Sequence, residues 1–244
     1  MILLKEQSRL YRWEERRMKL LIDDAHIEDI KQIYDQYPID GVTTNPSILS
    51  KINKSPKETL REIRDFIGQD ALLFVQTLPL DAEGMVKDAE AIVSEFGANT
   101  VVKIPSIPEG FKAIRILKEK GITTCGTVVY TALQAFLAAK AGASYVAPYV
   151  NRIDNMGYDG VKVVQQIQDT LDVNDMDCIV LAASFKNSQQ VSELCQYGIQ
   201  SVTAAPDVIR GFVKNAAIDT AVSDFISDFS KVAGEGKSMA DVLK

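Results

Sequence analysis

From Met18 onward, short apolar runs alternate with helical stretches, and the alternation repeats eight times. The apolar runs are KLLID, GVTT, ALLFVQTL, TVVKIP, TTCGTVVY, YVAPYV, DCIVLAAS and SVTAAP. They are β-branched and continuous rather than alternating, which suits parallel strands buried on both faces. Between them lie segments with a charged face, such as DAEGMVKDAEAIVSEFG and NSQQVSELCQYG. Several stop at a glycine, the usual helix terminator: Gly97, Gly121, Gly142 and Gly198.

Eight βα units within 244 residues predict an α/β fold, a closed (β/α)8 TIM barrel. The segment TAVSDFISDFSKVAG adds an extra C-terminal helix, with Ala221, Val222, Phe225, Ile226 and Phe229 spaced for one apolar stripe. A doubly wound open sheet is the competing architecture. It calls for a glycine-rich loop after the first strand, and here DAHIED follows KLLID. No linker divides the chain, so residues 18–244 are expected to form a single barrel domain that includes the C-terminal helix and tail. Residues 1–17, MILLKEQSRLYRWEERR, differ in character and hold the only tryptophan, Trp13. They read as an N-terminal extension: a start-site artefact, a loosely attached arm, or an interaction helix.

Composition narrows the chemistry. A net charge of -6 argues against a nucleic-acid partner, and no run approaches the roughly 20 apolar residues of a membrane span. The apolar start, Met1 to Leu4, is too short for a signal-peptide core. Cys125, Cys178 and Cys195 are far apart, with no C-x-x-C spacing, and are expected to be reduced thiols in a cytoplasmic protein. The single histidine, His26, cannot build a His-rich metal site, and any Ser-His-Asp or Cys-His apparatus would depend on it alone. It opens the amphipathic stretch HIEDIKQIYDQY, where a surface or capping role is expected. The search for chemistry therefore moves to lysine, tyrosine and carboxylates.

In a (β/α)8 barrel the working residues sit at the C-terminal ends of the strands. Polar residues gather there: Asp23 on strand one; Thr43, Thr44 and Asn45 on strand two; Gln76 on strand three; Lys103 on strand four; Thr127 on strand five; Tyr149, Asn151 and Arg152 on strand six; Ser184 and Lys186 on strand seven. Lys103 stands out, a charge set between Val101, Val102 and Ile104. A buried charge is costly unless paired, neutralised or used. Burial disfavours an ammonium, and a neutral amine attacks carbonyls to give an iminium, an electron sink for breaking the neighbouring C–C bond. The competing explanation is a structural ion pair with Asp23 across the barrel.

The motifs DGVTTNPSIL, VVKIP, GTVVY, YVAPYVNRID and LAASFK occur in this order on strands two, four, five, six and seven, with Asp23 following LLI. Together they resemble the transaldolase family, specifically its small-subunit branch containing fructose-6-phosphate aldolase, from Met18 to about Phe229. The resemblance implies that Lys103 is the Schiff-base lysine. It implies that Asp23 and Asn45, with Thr43 beside them, meet the substrate's hydroxyls, that Asp23 and Asn45 assist proton transfer, and that Thr127 holds a catalytic water. Arg152, Ser184 and Lys186 match the group that receives the sugar phosphate, and a cationic fork beside a hydroxyl suits that dianion. The family also implies no metal and no organic cofactor, and assembly into a homo-oligomer, a pentamer or decamer built from rings of five.

Two positions separate the branches. True transaldolases place a glutamate on strand three and a phenylalanine in the strand-six motif. Here FVQTL puts Gln76 at the first position and YVAPYVNRID puts Tyr149 at the second. An amide cannot take up and release a proton at neutral pH, whereas a phenol in a cationic setting can. Tyr149 then carries the proton work, with Gln76 and Thr127 positioning the water. The resemblance thus implies a Schiff-base aldolase that cleaves fructose 6-phosphate to glyceraldehyde 3-phosphate and dihydroxyacetone. The alternative is a transaldolase passing the dihydroxyacetone unit between sugar phosphates of the pentose phosphate pathway. A phosphosugar-binding barrel without turnover, and a lysine that anchors pyridoxal phosphate, are readings from other classes.

Overall fold

A computed structural model describes residues 18–244, so the readings made for residues 1–17 lie outside the described part. Each apolar run supplies one strand: β1 (Lys19–Asp23), β2 (Gly41–Thr43), β3 (Leu72–Gln76), β4 (Thr100–Pro105), β5 (Thr124–Val129), β6 (Tyr145–Pro148), β7 (Ile179–Ala182) and β8 (Ser201–Ala204). Every strand runs parallel to the next, and β8 returns to β1, so the sheet closes as a barrel in sequence order. The helices between them are α1 (Ile27–Gln36), α2 (Pro46–Leu49), α3 (Pro56–Ile67), α4 (Ala82–Phe96), α5 (Pro108–Glu119), α6 (Ala132–Ala141), α7 (Val150–Asp154), α8 (Gly160–Val173), α9 (Ser188–Tyr197) and α10 (Pro206–Arg210). This is the (β/α)8 barrel that the alternation predicts.

Local chemistry sets many of the joints. Ser55 and Glu58 form a reciprocal capping box at the start of α3, and the side chains of Asp81, Thr131, Asp159 and Asn187 each accept a backbone N–H at a helix start. Gly142 and Gly198 end α6 and α9 in the left-handed region, at φ +105° and +98°. His26 occupies the cap position of α1 without a side-chain cap bond, and its ring lies exposed, 3.2 Å from Asp29.

Side chains on a strand alternate between two faces, and here both are filled. The outward set, including Ile22, Val42, Val75, Val102, Ile104, Val146, Val180 and Val202, packs under the helices as the main core. The inward set forms a second cluster of Leu21, Phe74, Val101, Cys125, Tyr145, Ala147 and Leu181. In it Phe74 meets Tyr145 edge to face, with ring centroids 5.3 Å apart. At Arg64, buried in α3, the guanidinium donates to the carbonyls of Gly68, Ala71 and Asn99 and to the Thr100 hydroxyl, bracing the lower ends of β3 and β4.

The strand ends differ from the sequence reading. YVAPYV reads as one strand, yet β6 stops at Pro148, and the Val150 N–H bonds the Ala183 carbonyl as α7 begins. Asn151 and Arg152 therefore ride on a short helix rather than on a strand. DCIVLAAS likewise ends early: Ser184 adopts φ +62°, which breaks the extended run.

A second compact unit comprises Arg210–Lys244. Its long helix, α11 (Ala216–Ala233), is capped by Asn215, and a last turn, α12 (Met239–Val242), follows. Ile218, Val222, Phe225 and Ile226 are exposed along α11. Among the described residues, no helix is long and apolar enough to cross a membrane.

Candidate active site

Residues two apart on a strand share a face, so the residues above the inner apolar cluster point into the barrel mouth. Asp23 follows Leu21 on β1, Gln76 follows Phe74 on β3, Lys103 follows Val101 on β4 and Thr127 follows Cys125 on β5. The inner lining thus changes from apolar to polar over one residue pair, at the end where barrel chemistry is found.

Lys103 is 5% exposed, and its Nζ donates to the Thr44 carbonyl at 3.0 Å. Among the described residues it makes no ion pair; its amine rests on a backbone oxygen. The structural ion pair with Asp23 does not form, although the two groups interact electrostatically. Gln76 is the residue paired with Lys103 in the β3–β4 register, and Cys125 is its partner on β5. Burial pushes the Cys125 thiol up to about 12, against the pull of Lys103, so it remains a neutral filler beneath the amine.

Asp23 keeps part of its surface open to the mouth while dense packing surrounds its carboxyl. Desolvation holds that carboxyl above the usual carboxylate range; Lys103, the Thr43 hydroxyl and Arg152 oppose the rise, and Asp24 adds to it. The Thr43 hydroxyl donates to Asp23 Oδ1 at 2.7 Å and lies 2.6 Å from the Thr203 hydroxyl. A hydroxyl has one proton to give, so while Thr43 donates to the carboxylate, Thr203 is the donor to Thr43.

On the far side, the Thr127 hydroxyl and the Tyr149 phenol are 2.8 Å apart. Thr127 is fully buried and Tyr149 is 8% exposed. The Arg152 guanidinium stacks over the Tyr149 ring, 4.4 Å from its centroid, and Tyr130 meets that ring edge-on at 5.7 Å. Since Arg152 also acts on Asp23, its charge spans the mouth.

The remaining candidates sit at the rim. Asn45 caps α2 through its side-chain oxygen, which accepts from the Ile48 N–H at 3.0 Å. Ser184 is half-buried, and its carbonyl accepts from the Asn151 N–H at 2.8 Å. Lys186 is exposed; its backbone N–H donates to Gln190 Oε1, and Gln190 Nε2 donates to Asp154 at the end of α7. That strut ties the loop carrying Ser184 and Lys186 to the helix carrying Arg152.

Three contributors escape the sequence reading: Thr203, the Thr44 carbonyl and Tyr130. Thr203 follows Ser201 by two on β8, so the same end-of-strand test applied to SVTAAP finds it. A backbone carbonyl leaves no signal in side-chain chemistry.

The fold and mouth can be set beside known proteins. A solved structure described as "Native KDPGal structure" superposes with a TM-score of 0.53 at 16% identity, over 76% of this chain and 81% of that one, a likeness of fold alone. The family model for Transaldolase/Fructose-6-phosphate aldolase matches residues 20–243, which is the barrel and nearly all that follows it. The chain therefore belongs to the transaldolase/fructose-6-phosphate aldolase family and is an enzyme of the aldolase or transaldolase type.

Proposed function

We propose that the chain is a Schiff-base aldolase of the fructose-6-phosphate aldolase branch, interconverting fructose 6-phosphate with dihydroxyacetone and glyceraldehyde 3-phosphate. The observation that carries the reading is the Lys103 amine, 5% exposed and held by a carbonyl rather than by a carboxylate. Nothing needs to be broken except one hydrogen bond for Nζ to reach a ketone.

Lys103 Nζ adds to C2 of the ketose, and loss of water gives the iminium. Asp23 takes the C4 hydroxyl proton, a role suited to a carboxylate whose proton affinity burial has raised. The C3–C4 electron pair then flows to the iminium nitrogen, and glyceraldehyde 3-phosphate departs. The resulting enamine accepts a proton at C3 from Tyr149, through the water that Thr127 and Gln76 position. Water adds to the new iminium, and dihydroxyacetone leaves with Lys103 restored. The proton taken by Asp23 returns through water to the Tyr149 phenolate, so that both groups are reset. Arg152, Ser184 and Lys186 take the substrate phosphate, while Asn45 and Thr43 order its hydroxyls. The reaction needs no cofactor or metal in this scheme.

The same reading makes the protein a cytoplasmic homo-oligomer, a pentamer or decamer, and the apolar stripe exposed on α11 supports self-association. It also treats residues 18–244 as one functional barrel domain with its C-terminal helix.

Borohydride reduction with fructose 6-phosphate tests the reading. The peptide containing Lys103 is expected to gain the mass of a reduced three-carbon or six-carbon adduct. An unmodified lysine overturns it. Free dihydroxyacetone in the absence of an acceptor aldose identifies the aldolase; carbon transfer to erythrose 4-phosphate without that release identifies the transaldolase.

A further inference from the structure

Val128 follows Thr127 and adopts φ +60°, a region that β-branched residues avoid. The β5–β6 register slips at this point, between Gly126 and Val129. Such a bulge re-aims the neighbouring side chain, and the neighbour is Thr127, whose hydroxyl meets Tyr149 at 2.8 Å. A strained conformation persists only where its surroundings over-determine it. The surroundings here centre on Gln134.

Gln134 lies in the first turn of α6, three residues after the cap Thr131, a position where glutamine often closes a capping box. Its side chain does something else. Oε1 accepts from the Tyr130 N–H at 3.0 Å, one residue before the cap. Nε2 donates outside the helix, to the carbonyls of Val128 and Ser106, both at 3.3 Å. Ser106 in turn donates its N–H to the Thr127 carbonyl at 2.8 Å. One amide therefore grips the bulge on both sides of Val129 and ties it to the end of β4, just past Lys103.

We infer that Gln134 is a positioning residue: it holds the bulge at Val128 and so keeps Thr127 aimed at Tyr149. The inference rests on the proposed role of that pair in protonating the enamine. Capping alone predicts a different outcome, because a glutamate would keep the acceptor oxygen and lose only the two donors.

Gln134→Glu is the discriminating variant. Trapping of substrate on Lys103 is expected to survive with KM unchanged, while dihydroxyacetone release slows about 10- to 100-fold, the effect of misplacing a reacting group by an ångström or less. Val128→Gly adopts the positive φ without strain, so the double variant Gln134→Glu/Val128→Gly is expected to recover much of the lost turnover. Thermal unfolding supplies a readout independent of activity. Val128→Gly alone is expected to raise Tm by ~2 °C, and the Tm loss caused by Gln134→Glu is expected to shrink in the Val128→Gly background. Full release in Gln134→Glu overturns the inference, as do additive Tm changes in the two variants. Absence of any Lys103 adduct in the wild type overturns the aldolase reading instead, and leaves the Tm coupling to decide the clamp.

Discussion

The Thr127 hydroxyl and the Tyr149 phenol are hydrogen-bonded at 2.8 Å, inside a barrel mouth where one residue is fully buried and the other nearly so. That contact ties the end of β5 to the start of α7, and its partners decide what each variant does. In Tyr149→Phe the ring stays under Arg152 while the phenolic proton is lost. Lys103 is expected to be trapped by borohydride as before, with dihydroxyacetone release down by about 10²–10⁴-fold, the usual scale for a proton donor. Undiminished release would reassign the proton to another group.

Replacing the amine itself gives the cleanest separation of folding from chemistry. Lys103→Met puts an apolar chain of similar length above the inward-facing Val101 and Cys125, and forfeits one hydrogen bond to Thr44. Tm is expected to hold or rise, and adduct formation to vanish in the borohydride and mass experiment.

Asp23 links pH to stability. Its folded-state affinity for protons exceeds that of the unfolded chain, where the group titrates near 3.8. Its favourable contribution is therefore complete below that pH and disappears as pH rises through the folded value, leaving a carboxylate that disfavours the fold at neutral pH. Asp23→Asn is expected to raise Tm at pH 7 by about 2–4 °C per kcal/mol relieved, with the gain fading on acidification toward pH 4. Activity is expected to fall in the same variant. Parallel Tm–pH curves for the two proteins would contradict this account.

Arg152 stacks on the Tyr149 ring and is proposed to take the substrate phosphate, and variants can separate the two roles. Arg152→Ala is expected to raise KM for fructose 6-phosphate by roughly 10- to 100-fold, the loss of one or two charge-assisted bonds, and to leave KM for the unphosphorylated ketose dihydroxyacetone nearly unchanged. Arg152→Lys is expected to recover only part of the loss, because an ammonium neither forks nor stacks. Equal KM changes for both substrates would remove Arg152 from the phosphate group.

Gly160 controls the helix on which Arg152 rides. A Cβ there would overlap the Val150 carbonyl and lie 2.9 Å from Asp154 Oδ1, the atom that accepts the Gly160 N–H. Gly160→Ala is expected to cost about 1–3 kcal/mol by chemical denaturation and to raise KM for the phosphorylated substrate, because α7 must move. Unchanged KM would mean that α7 and the phosphate group are uncoupled.

How much of this was readable beforehand depends on burial. Strands such as TVVKIP are legible because both faces of the sheet are covered, so the whole run must be apolar and a single lysine is conspicuous. Strand ends are less legible: β6 stops at Pro148 as a helix begins and Ser184 turns to a positive φ after β7, so YVAPYV and DCIVLAAS look extended past the true stops. Side chains proposed to act directly, such as Lys103 and Tyr149, carry their chemistry in their type. Gln134 is inferred to act through what it holds in place, and a glutamine in an ordinary helix looks like any other, whereas Thr203 lies where the end-of-strand test on SVTAAP points. The Thr44 carbonyl has no sequence signature at all.

The Phe74–Tyr145 stack and its apolar companions close the barrel below the polar layer, so the chamber around Lys103 is a cul-de-sac. In the proposed chemistry a guest bonded to the amine would occupy the blind end, and the fragment released first would stand between it and the exit. On the proposed reaction, topology would queue departure: the aldehyde fragment would leave before the ketone, and an incoming aldehyde would use the same doorway to intercept the bound unit.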